Sequence, residues 1–160
     1  HQRRSDIIPP QIKIAGNYTS SMMAKWQARK NGYDEIILTD ENGFITEAPT
    51  SNVFLVNQDD VLLTAPKKEV LYGITRKSIL DIADNEGIKT IVERIPLLEL
   101  ENAKEVFITS SSHLVCPVIK IDNNPVGSGG IGVLTDKLKQ RFLKISQGQD
   151  SFFSDWLDSI

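Results

Sequence analysis

The sequence has 160 residues, 40% hydrophobic and 24% charged, which suffices for one globular domain with a real core. Its 18 basic and 21 acidic side chains give a net charge of -3, so it lacks the positive charge typical of nucleic acid partners. The single cysteine, Cys116, excludes an intrachain disulfide and a cysteine-based metal cluster. No apolar run approaches the ~18 residues that cross a bilayer. We therefore expect a soluble, cytoplasmic protein with neither nucleic acid nor membrane partners.

Residues 1–11 are predicted to be the remnant of an interdomain linker. This segment is polar, does not begin with methionine, and contains Pro9 and Pro10, which favour an extended path. We expect that an N-terminal domain precedes it outside this chain. Residues 12–160 are then predicted to form a single domain.

The first half of this domain predicts one helix and two β-hairpins. Thr19 and Ser20 are the predicted caps of the helix, and Asn31-Gly32 is a common left-handed end. An Asn-Gly pair within 40–43 is a strong hairpin signal. The four strands are predicted at 35–39, 44–46, 52–56 and 61–64. Two successive hairpins suggest an antiparallel sheet.

The second half predicts a change to strand-helix-strand order. Apolar residues recur at helical spacing over 73–87, and a strand is predicted at 89–95. The remaining predicted elements are a short helix at 97–103, strands at 106–109 and 114–121, a turn at 123–125, a helix at 133–145 and a docking aromatic segment at 152–157. A mixed α/β fold follows from this order.

Lys13 is the first candidate for chemistry. A lysine attacks an aldehyde carbon only as the neutral amine, and its neighbours Ile12 and Ile14 are consistent with an apolar surround that would favour this form. Most lysines are nevertheless solvated surface residues, so Lys13 alone carries little weight. Its importance depends on what other segments supply.

Three later segments supply complementary groups. Glu47 leaves the first hairpin and precedes a stretch of small residues that suits close approach by a ligand, although alone it is an ordinary turn residue. Thr75 lies in the first turn of a predicted helix after Gly73, where backbone N–H groups attract an anion. The four hydroxyls of 109–112 either complete a phosphate cradle or form a polar loop. A lysine, a carboxylate and an anion site together match the needs of pyridoxal 5'-phosphate.

Three other features are assigned no catalytic role. The segment 127–132 has the glycine spacing of a dinucleotide site, but it follows a turn and lacks the second strand of such a unit, so it is predicted to be a loop. His113 is the only internal histidine, which favours a structural or site-rim residue and gives no support to a metal site or a Ser-His-Asp triad. Cys116 is predicted to be a small buried hydrophobe.

In this order and spacing, the segments resemble the C-terminal domain of class IV (fold type IV) pyridoxal-phosphate-dependent aminotransferases. The pattern is most like that of the branched-chain amino acid enzymes, and D-amino acid aminotransferases share the scaffold. The motifs that carry the resemblance are Lys13 with Gly16-Asn17-Tyr18, residues 32–35, residues 73–76 and residues 148–157. The resemblance implies a mixed α/β large domain with a barrel-like sheet and flanking helices.

The resemblance also implies roles for individual residues. Lys13 would be the Schiff-base lysine, and Glu47 would pair with the pyridinium nitrogen. Ser111 and Ser112 stand where the family binds the substrate carboxylate. The other implied cofactor contacts, from ring to phosphate, are Tyr18, Leu71, Ile74, Thr75, Ser110 and Ser111. No metal is implied.

Two departures from the branched-chain pattern affect the substrate. Residues 48–52 read Ala-Pro-Thr-Ser-Asn where those enzymes have Gly-Ser-Gly-Glu-Asn, which is nearer to the D-amino acid enzymes. Residues 110–114 read Ser-Ser-Ser-His-Leu in place of Gly-Thr-Ala-Ala-Glu. The expected function is transamination between an amino acid and a 2-oxo acid in a homodimer. The alternatives are a β-elimination of the aminodeoxychorismate lyase type and a non-catalytic fragment that keeps the fold.

Overall fold

The computed structural model describes residue 2 and residues 8–157, so part of the predicted linker, residues 1 and 3–7, lies outside the described residues. The three helices are α1 (Gly16–Lys30), α2 (Ile74–Asn85) and α3 (Val133–Ser146). The strands are β1 (Phe44–Ile45), β2 (Glu47–Ala48), β3 (Ser51–Val56), β4 (Leu62–Thr64), β5 (Thr90–Val92), β6 (Ile95–Pro96), β7 (Glu105–Ser110), β8 (Leu114–Val118), β9 (Lys120–Ile121) and β10 (Asn124–Pro125). Short 3₁₀ turns span Lys67–Glu69, Leu97–Leu100 and Ser151–Trp156.

Six of these strands form one mixed sheet. Its order is β5-β4-β3-β7-β8, and β2 pairs with β3 beside this path. Strands β4 and β5 run parallel because α2 forms the crossover between them, whereas the other pairs in this sheet are antiparallel. The mixed α/β architecture with a mixed sheet and flanking helices is confirmed, and the strands of the first half, β2, β3 and β4, pair antiparallel as the hairpins suggested.

The two faces of the sheet bury separate apolar clusters, as the period-two alternation of a strand requires. Along β3, Val53 and Leu55 face one cluster, while Phe54 and Val56 face the other. The second cluster lies under α2 and α3, and there the rings of Phe54 and Phe107 stack with centroids 5.0 Å apart. This face of the sheet therefore fixes where α2 begins.

The start of α1 differs from the prediction. The helix begins at Gly16, so Thr19 and Ser20 lie inside it and do not cap it. The reason is local: the Asn17 side chain donates to the carbonyl of Ile12 at 2.7 Å, which binds the first turn to the preceding loop. The helix consequently starts one turn earlier, immediately after the Lys13 segment.

Most of the remaining elements agree with the sequence, with shorter bounds. The first hairpin closes through hydrogen bonds from the N–H of Asp40 to the carbonyl of Phe44 and from the N–H of Thr46 to the carbonyl of Leu38, both 2.9 Å. The strand predicted at 35–39 is wrong, because residues 35–38 form no strand and Thr39 makes isolated bridges to Gln2 and Ile45. The helix predicted at 97–103 is only the 3₁₀ turn Leu97–Leu100. Cys116 is half-buried against the first cluster, where full burial was expected.

Candidate functional site

A cavity of about 560 Å³ opens at the end of the sheet where β2, β3 and β7 meet the N-terminus of α2. The segment from Pro10 to Tyr18 borders it on another side. All of the residues that the sequence nominated lie along its wall: Lys13, Tyr18, Glu47, Leu71, Ile74, Thr75, Ser110, Ser111 and Ser112. Segments more than 90 positions apart in the chain therefore line one cavity.

Lys13 lies at the mouth of the cavity and is exposed. The side chains of Ile12 and Ile14 are 46% and 44% exposed, so they do not form an apolar surround for it. This part of the prediction is wrong for the chain described. Three residues further on, α1 begins and holds this segment against the cavity.

Glu47 lies on the cavity wall and is only 8% exposed. Its Oε2 accepts a hydrogen bond from the backbone N–H of Leu71 at 3.0 Å. Directly opposite Glu47 on β3, Asn52 donates from Nδ2 to the carbonyl of Leu71 at 2.8 Å. The cross-strand pair thus fixes the main chain of Leu71 from both sides, and a buried carboxylate suited to a cationic nitrogen lines the cavity.

The N-terminus of α2 opens into the same space. Gly73 is its N-cap residue, and Thr75 in the first turn is buried and lines the cavity. A Cβ at Gly73 would overlap Oδ1 of Asn52, so a larger residue would require either the Asn52 side chain to leave its hydrogen bond with Leu71 or the helix to move away from β3. Unpaired N–H groups and the helix dipole make this end a site for an anion.

The serines after β7 form a hydrogen-bonded rim. The hydroxyls of Ser110 and Ser112 are 3.2 Å apart, and each is 3.2 Å from Nδ1 of His113. His113 also donates its backbone N–H to Ser110 Oγ at 3.1 Å. Leu114 then adopts a φ of 53°, in the left-handed region that favours glycine. His113 therefore lies beside the rim, one of the two places that the sequence indicated.

The wall also contains polar residues that were absent from the predicted set. Asn52 and Tyr72 line the cavity, as do Ser51 and Thr109, whose buried hydroxyls have no hydrogen-bond partner among the described residues. The sequence could have predicted Asn52, because the tight turn after Glu47 brings Asn52 opposite that carboxylate. Thr109 was named only as one of four consecutive hydroxyls.

An ion-pair cluster holds two wall segments in place. Arg94 binds the carboxylate of Asp40, and its Nε lies 3.2 Å from Oε1 of Glu69. Burial raises the pKa of Asp40, but hydrogen bonds from two N–H groups of its own turn and from Arg94 hold the pKa below its ordinary value. Because Asp40 starts the hairpin that ends at Glu47, and Glu69 precedes Leu71, Arg94 ties together the segments that meet at the cavity.

The glycine-rich segment 127–132 is a loop, as predicted, and it does not form an anion site. The buried carboxylate of Glu105 accepts hydrogen bonds from the N–H groups of Leu134 and Thr135 and so occupies the start of α3. Within residue 2 and residues 8–157, no cluster of three or more potential metal ligands occurs. No helix in the same part of the chain is both long and apolar enough to cross a membrane.

Comparison with known proteins gives consistent matches. The family model described as "Amino-transferase class IV" matches residues 1–121. The chain is 34% identical over 161 residues to the probable branched-chain-amino-acid aminotransferase of Aquifex aeolicus, covering 99% of this chain and 52% of that protein. It is 36% identical over 154 residues to the branched-chain-amino-acid aminotransferase of Escherichia coli K12, covering 96% and 50%.

A solved structure agrees with these matches. The crystal structure of the branched-chain amino acid aminotransferase from Thermobaculum terrenum, in its pyridoxal-phosphate-bound holo form, superposes with a TM-score of 0.91 at 26% identity. The match covers 98% of this chain and 51% of that one. The chain thus spans about half the length of the relatives it matches. With the family model matching about three quarters of its residues, the chain belongs to the class IV aminotransferases.

Proposed function

We propose that this chain is the cofactor-binding half of a longer, pyridoxal 5'-phosphate-dependent transaminase. The enzyme would move an amino group between an amino acid, foremost a branched-chain one, and a 2-oxo acid. The observation that carries the proposal is the meeting of Lys13, Glu47 and the N-terminus of α2 in one cavity. In this proposal residues 1–11 are the linker and residues 12–160 the domain, and the names of the relatives support the reaction.

The cavity fits pyridoxal 5'-phosphate by size and by the chemistry of its wall. About 560 Å³ falls within the range of small-molecule sites. Glu47 offers a carboxylate to a protonated ring nitrogen, and Leu71 offers an apolar side chain to a ring face. The start of α2 offers N–H groups to a phosphate, and the buried hydroxyls of Ser51 and Thr109 lack a protein partner among the described residues. The related Thermobaculum terrenum structure is that of the form which holds this cofactor.

When bound, the cofactor supplies an electron sink that allows the Cα–H bond of an amino acid to be broken. Lys13 is the one amine among the cavity-lining residues of the described chain, so its Nζ is the group that can accept the Cα proton and return it. The carboxylate of Glu47 stabilises positive charge on the ring nitrogen. Its hydrogen bond to Leu71 keeps it in place for this task.

The other wall residues orient the ligands. Ile74 and Thr75 provide backbone N–H groups at the start of α2, Thr75 adds a hydroxyl, and Ser111 with Ser110 completes the phosphate cradle. Tyr18 is the proposed partner of the phenolic oxygen. Ser111 and Ser112, on the exposed rim, are the proposed contacts for the substrate carboxylate.

The enzyme assay uses the full-length protein that contains this chain. Transamination predicts that an amino acid is consumed continuously only when a 2-oxo acid acceptor is present, because the amino group must leave the enzyme on that acceptor. Lys13→Ala should abolish turnover. Continuous release of pyruvate from aminodeoxychorismate without acceptor, with the amino group kept in the aromatic product, would instead support the β-elimination alternative. No turnover with any amino acid and acceptor would support the non-catalytic alternative.

We propose in addition that the enzyme is a cytoplasmic homodimer. The exposed apolar side chains of Met23 and Trp26 on α1, 63% and 59% exposed, offer surface for a subunit contact. The single cysteine suits a reducing compartment. Sedimentation equilibrium of the full-length protein tests the dimer, and a monomer at micromolar concentration would contradict it.

A further inference from the structure

In the described part of the chain, Thr109 and Ser51 have the two unpartnered buried hydroxyls of the cavity wall, and of these only Thr109 is the direct cross-strand partner of Asn52. Thr109 is only 1% exposed, and its Oγ1 has no hydrogen-bond partner among the described residues. A buried hydroxyl without a partner destabilises a fold, and native structures seldom retain one unless a water or ligand satisfies it. Because Thr109 lines the cavity, a bound ligand is the natural partner.

The sheet register places Thr109 in a polar row. Glu47 pairs with Asn52 across β2 and β3, and Asn52 pairs with Thr109 across β3 and β7. Direct cross-strand partners lie on the same face of a sheet, so the three side chains form one line across three strands. Glu47 and Asn52 both bind the main chain of Leu71, whereas Thr109 does not. Thr109, the third member of the row, lines the cavity and has a hydroxyl without a partner among the described residues.

This row lies directly beneath the start of α2. Gly73 packs so closely on Asn52 that a Cβ there would overlap the Asn52 side chain. Thr109 is one strand away from Asn52, and direct partners have Cα atoms about 4.5–5.5 Å apart. Thr109 and the first residues of α2 therefore lie at the same end of the cavity.

Nearby charge favours an anion at this end. Arg76, in the first turn of α2, is 1% exposed and donates to the carbonyl of Ala65 at 2.7 Å. Among the described residues, no carboxylate lies within ion-pairing distance of its guanidinium. A buried cation and a helix N-terminus together create a positive potential that a phosphate group would neutralise.

The adjacent serines differ from Thr109. Ser110 and Ser112 bond to each other and to His113 on the exposed rim, so their hydroxyls already have protein partners. Thr109 lies inside the sheet ladder, and its backbone position is set by pairing on both sides, to Asn52 and to Val115. Of the four consecutive hydroxyls, Thr109 is the one that is buried and pre-positioned.

We infer that Thr109 is a further phosphoryl-binding residue, whose hydroxyl donates a hydrogen bond to the ligand phosphate at the N-terminus of α2. The inference rests on the proposed function, because it assigns this end of the cavity to the cofactor's phosphate. It adds a buried hydroxyl from β7 to the proposed cradle of Ile74, Thr75, Ser110 and Ser111.

The test compares three variants of the full-length protein in its cofactor-free form. Thr109→Val removes the hydroxyl and keeps the shape, and Thr109→Ser keeps the hydroxyl. Thr64→Val is the matched control, because Thr64 is equally buried, donates to the carbonyl of Val53 at 2.8 Å and does not line the cavity. The dissociation constants of inorganic phosphate and of pyridoxal 5'-phosphate are measured by calorimetry, and the melting temperature is measured without ligand.

Thr109→Val should weaken binding of both probes about tenfold or more, because a hydrogen bond to a charged group is lost. Thr109→Ser and Thr64→Val should bind within about threefold of the wild type. Without ligand, Thr109→Val should melt no lower than the wild type, since it removes an unsatisfied hydroxyl, whereas Thr64→Val should melt lower. If Thr109 had only a structural role, Thr109→Val would melt at a lower temperature than the wild type.

Unchanged phosphate affinity in Thr109→Val would overturn the inference, as would a wild type that binds neither probe. The inference and the proposed function can be refuted independently of each other. If the wild type forms a reduced cofactor adduct on Lys13 and Thr109→Val binds as tightly, the function stands and the inference is wrong. If phosphate binding depends on Thr109 but no adduct forms on Lys13, the anion site stands and the function is wrong.

Discussion

Helices α2 and α3 begin in the same way, but the N–H groups of their first turns differ in what they contact. Each follows a glycine with an extended backbone, Gly73 or Gly132. At α3 the Glu105 carboxylate accepts hydrogen bonds from the first turn, including one from Thr135 N–H at 2.7 Å. At α2 no side chain among the described residues caps the first N–H groups, which open into the cavity.

The difference shows what distinguishes an anion site from an ordinary helix start. Both ends have the dipole and the unpaired N–H groups that attract negative charge. At α3 the protein supplies that charge from its own interior, so no ligand is needed. At α2 it supplies a buried arginine and hydroxyls instead, so the negative charge must come from a bound ligand. The following changes test whether one end serves function and the other serves stability.

The largest expected effect is on turnover. Glu47→Gln keeps the shape of the side chain but removes the charge that stabilises a protonated ring nitrogen, so turnover of the full-length enzyme should fall about a hundredfold or more. Pyridoxal 5'-phosphate should remain bound in the variant. Glu105→Gln, the same change at α3, should leave turnover of the folded enzyme within about threefold. Wild-type rates in Glu47→Gln would contradict the assignment.

The next effect is on stability at α3. Glu105 is 6% exposed and also accepts a hydrogen bond from the Thr135 hydroxyl at 2.7 Å. Glu105→Ala leaves several buried donors without an acceptor, which should lower the free energy of unfolding by about 2–4 kcal/mol. Urea denaturation of the cofactor-free protein measures this loss. A loss below about 0.5 kcal/mol would show that the carboxylate does not act as the internal anion.

The third prediction concerns substitutions of the two glycines themselves. An alanine Cβ at Gly73 would overlap Asn52, and one at Gly132 would overlap the carboxyl group of Glu105. Each substitution should cost about 1–3 kcal/mol of unfolding free energy through overpacking. Only Gly73→Ala should also weaken phosphate binding, because it moves the start of α2 away from the polar row. Equal phosphate affinities in the two variants would show that the close approach of α2 has no role in binding.

The smallest effect concerns an ion-pair cluster between the end of α2 and the middle of α3. Glu86, at the end of α2, accepts hydrogen bonds from Lys137 and Arg141 of α3, which hold its pKa below the ordinary value of 4.5. Arg141 also lowers the pKa of Asp150. Lowered acid pKa values mean that the unfolded chain binds protons first as the pH falls, so this stabilisation is complete above about pH 4.5 and is lost below it.

Urea unfolding between pH 7 and pH 3 measures this dependence. Arg141→Met should flatten it while leaving phosphate binding unchanged, because Arg141 is not among the residues that line the cavity. The effect should be modest, since these charges are partly exposed and screened by water. An acid dependence as steep in Arg141→Met as in the wild type would show that other carboxylates cause it.

Much of the site was predictable because its residues follow local rules. Lys13 precedes a helix, Glu47 leaves a hairpin with an Asn-Gly turn, and Gly73 precedes an amphipathic helix. Each of these positions depends on a few neighbouring residues, so sequence alone could place them. Their meeting in one cavity was expected only from the resemblance to a known family.

The contacts that the sequence did not predict are long-range. Nothing near Glu47 in the chain indicates that it binds the N–H of Leu71, because the 3₁₀ turn before Leu71 decides that contact. The sequence also did not indicate which face of α1 is buried. Ser21 and Lys25 lie on that face, and Lys25 pairs there with Glu35 at 2.5 Å. Periodicity assigns apolar residues to the core, and this buried ion pair overrides that assignment.

The most direct test of the account is whether Lys13 binds the cofactor covalently. The full-length protein is incubated with pyridoxal 5'-phosphate, followed by visible absorbance, reduced with borohydride, digested and mapped by mass spectrometry, with Lys13→Arg as the control. The account predicts a visible absorbance band that reduction removes, together with a reduced phosphopyridoxyl adduct on Lys13 that the control lacks. A full-length protein that carries no adduct on Lys13, or carries it on another lysine, would contradict the account.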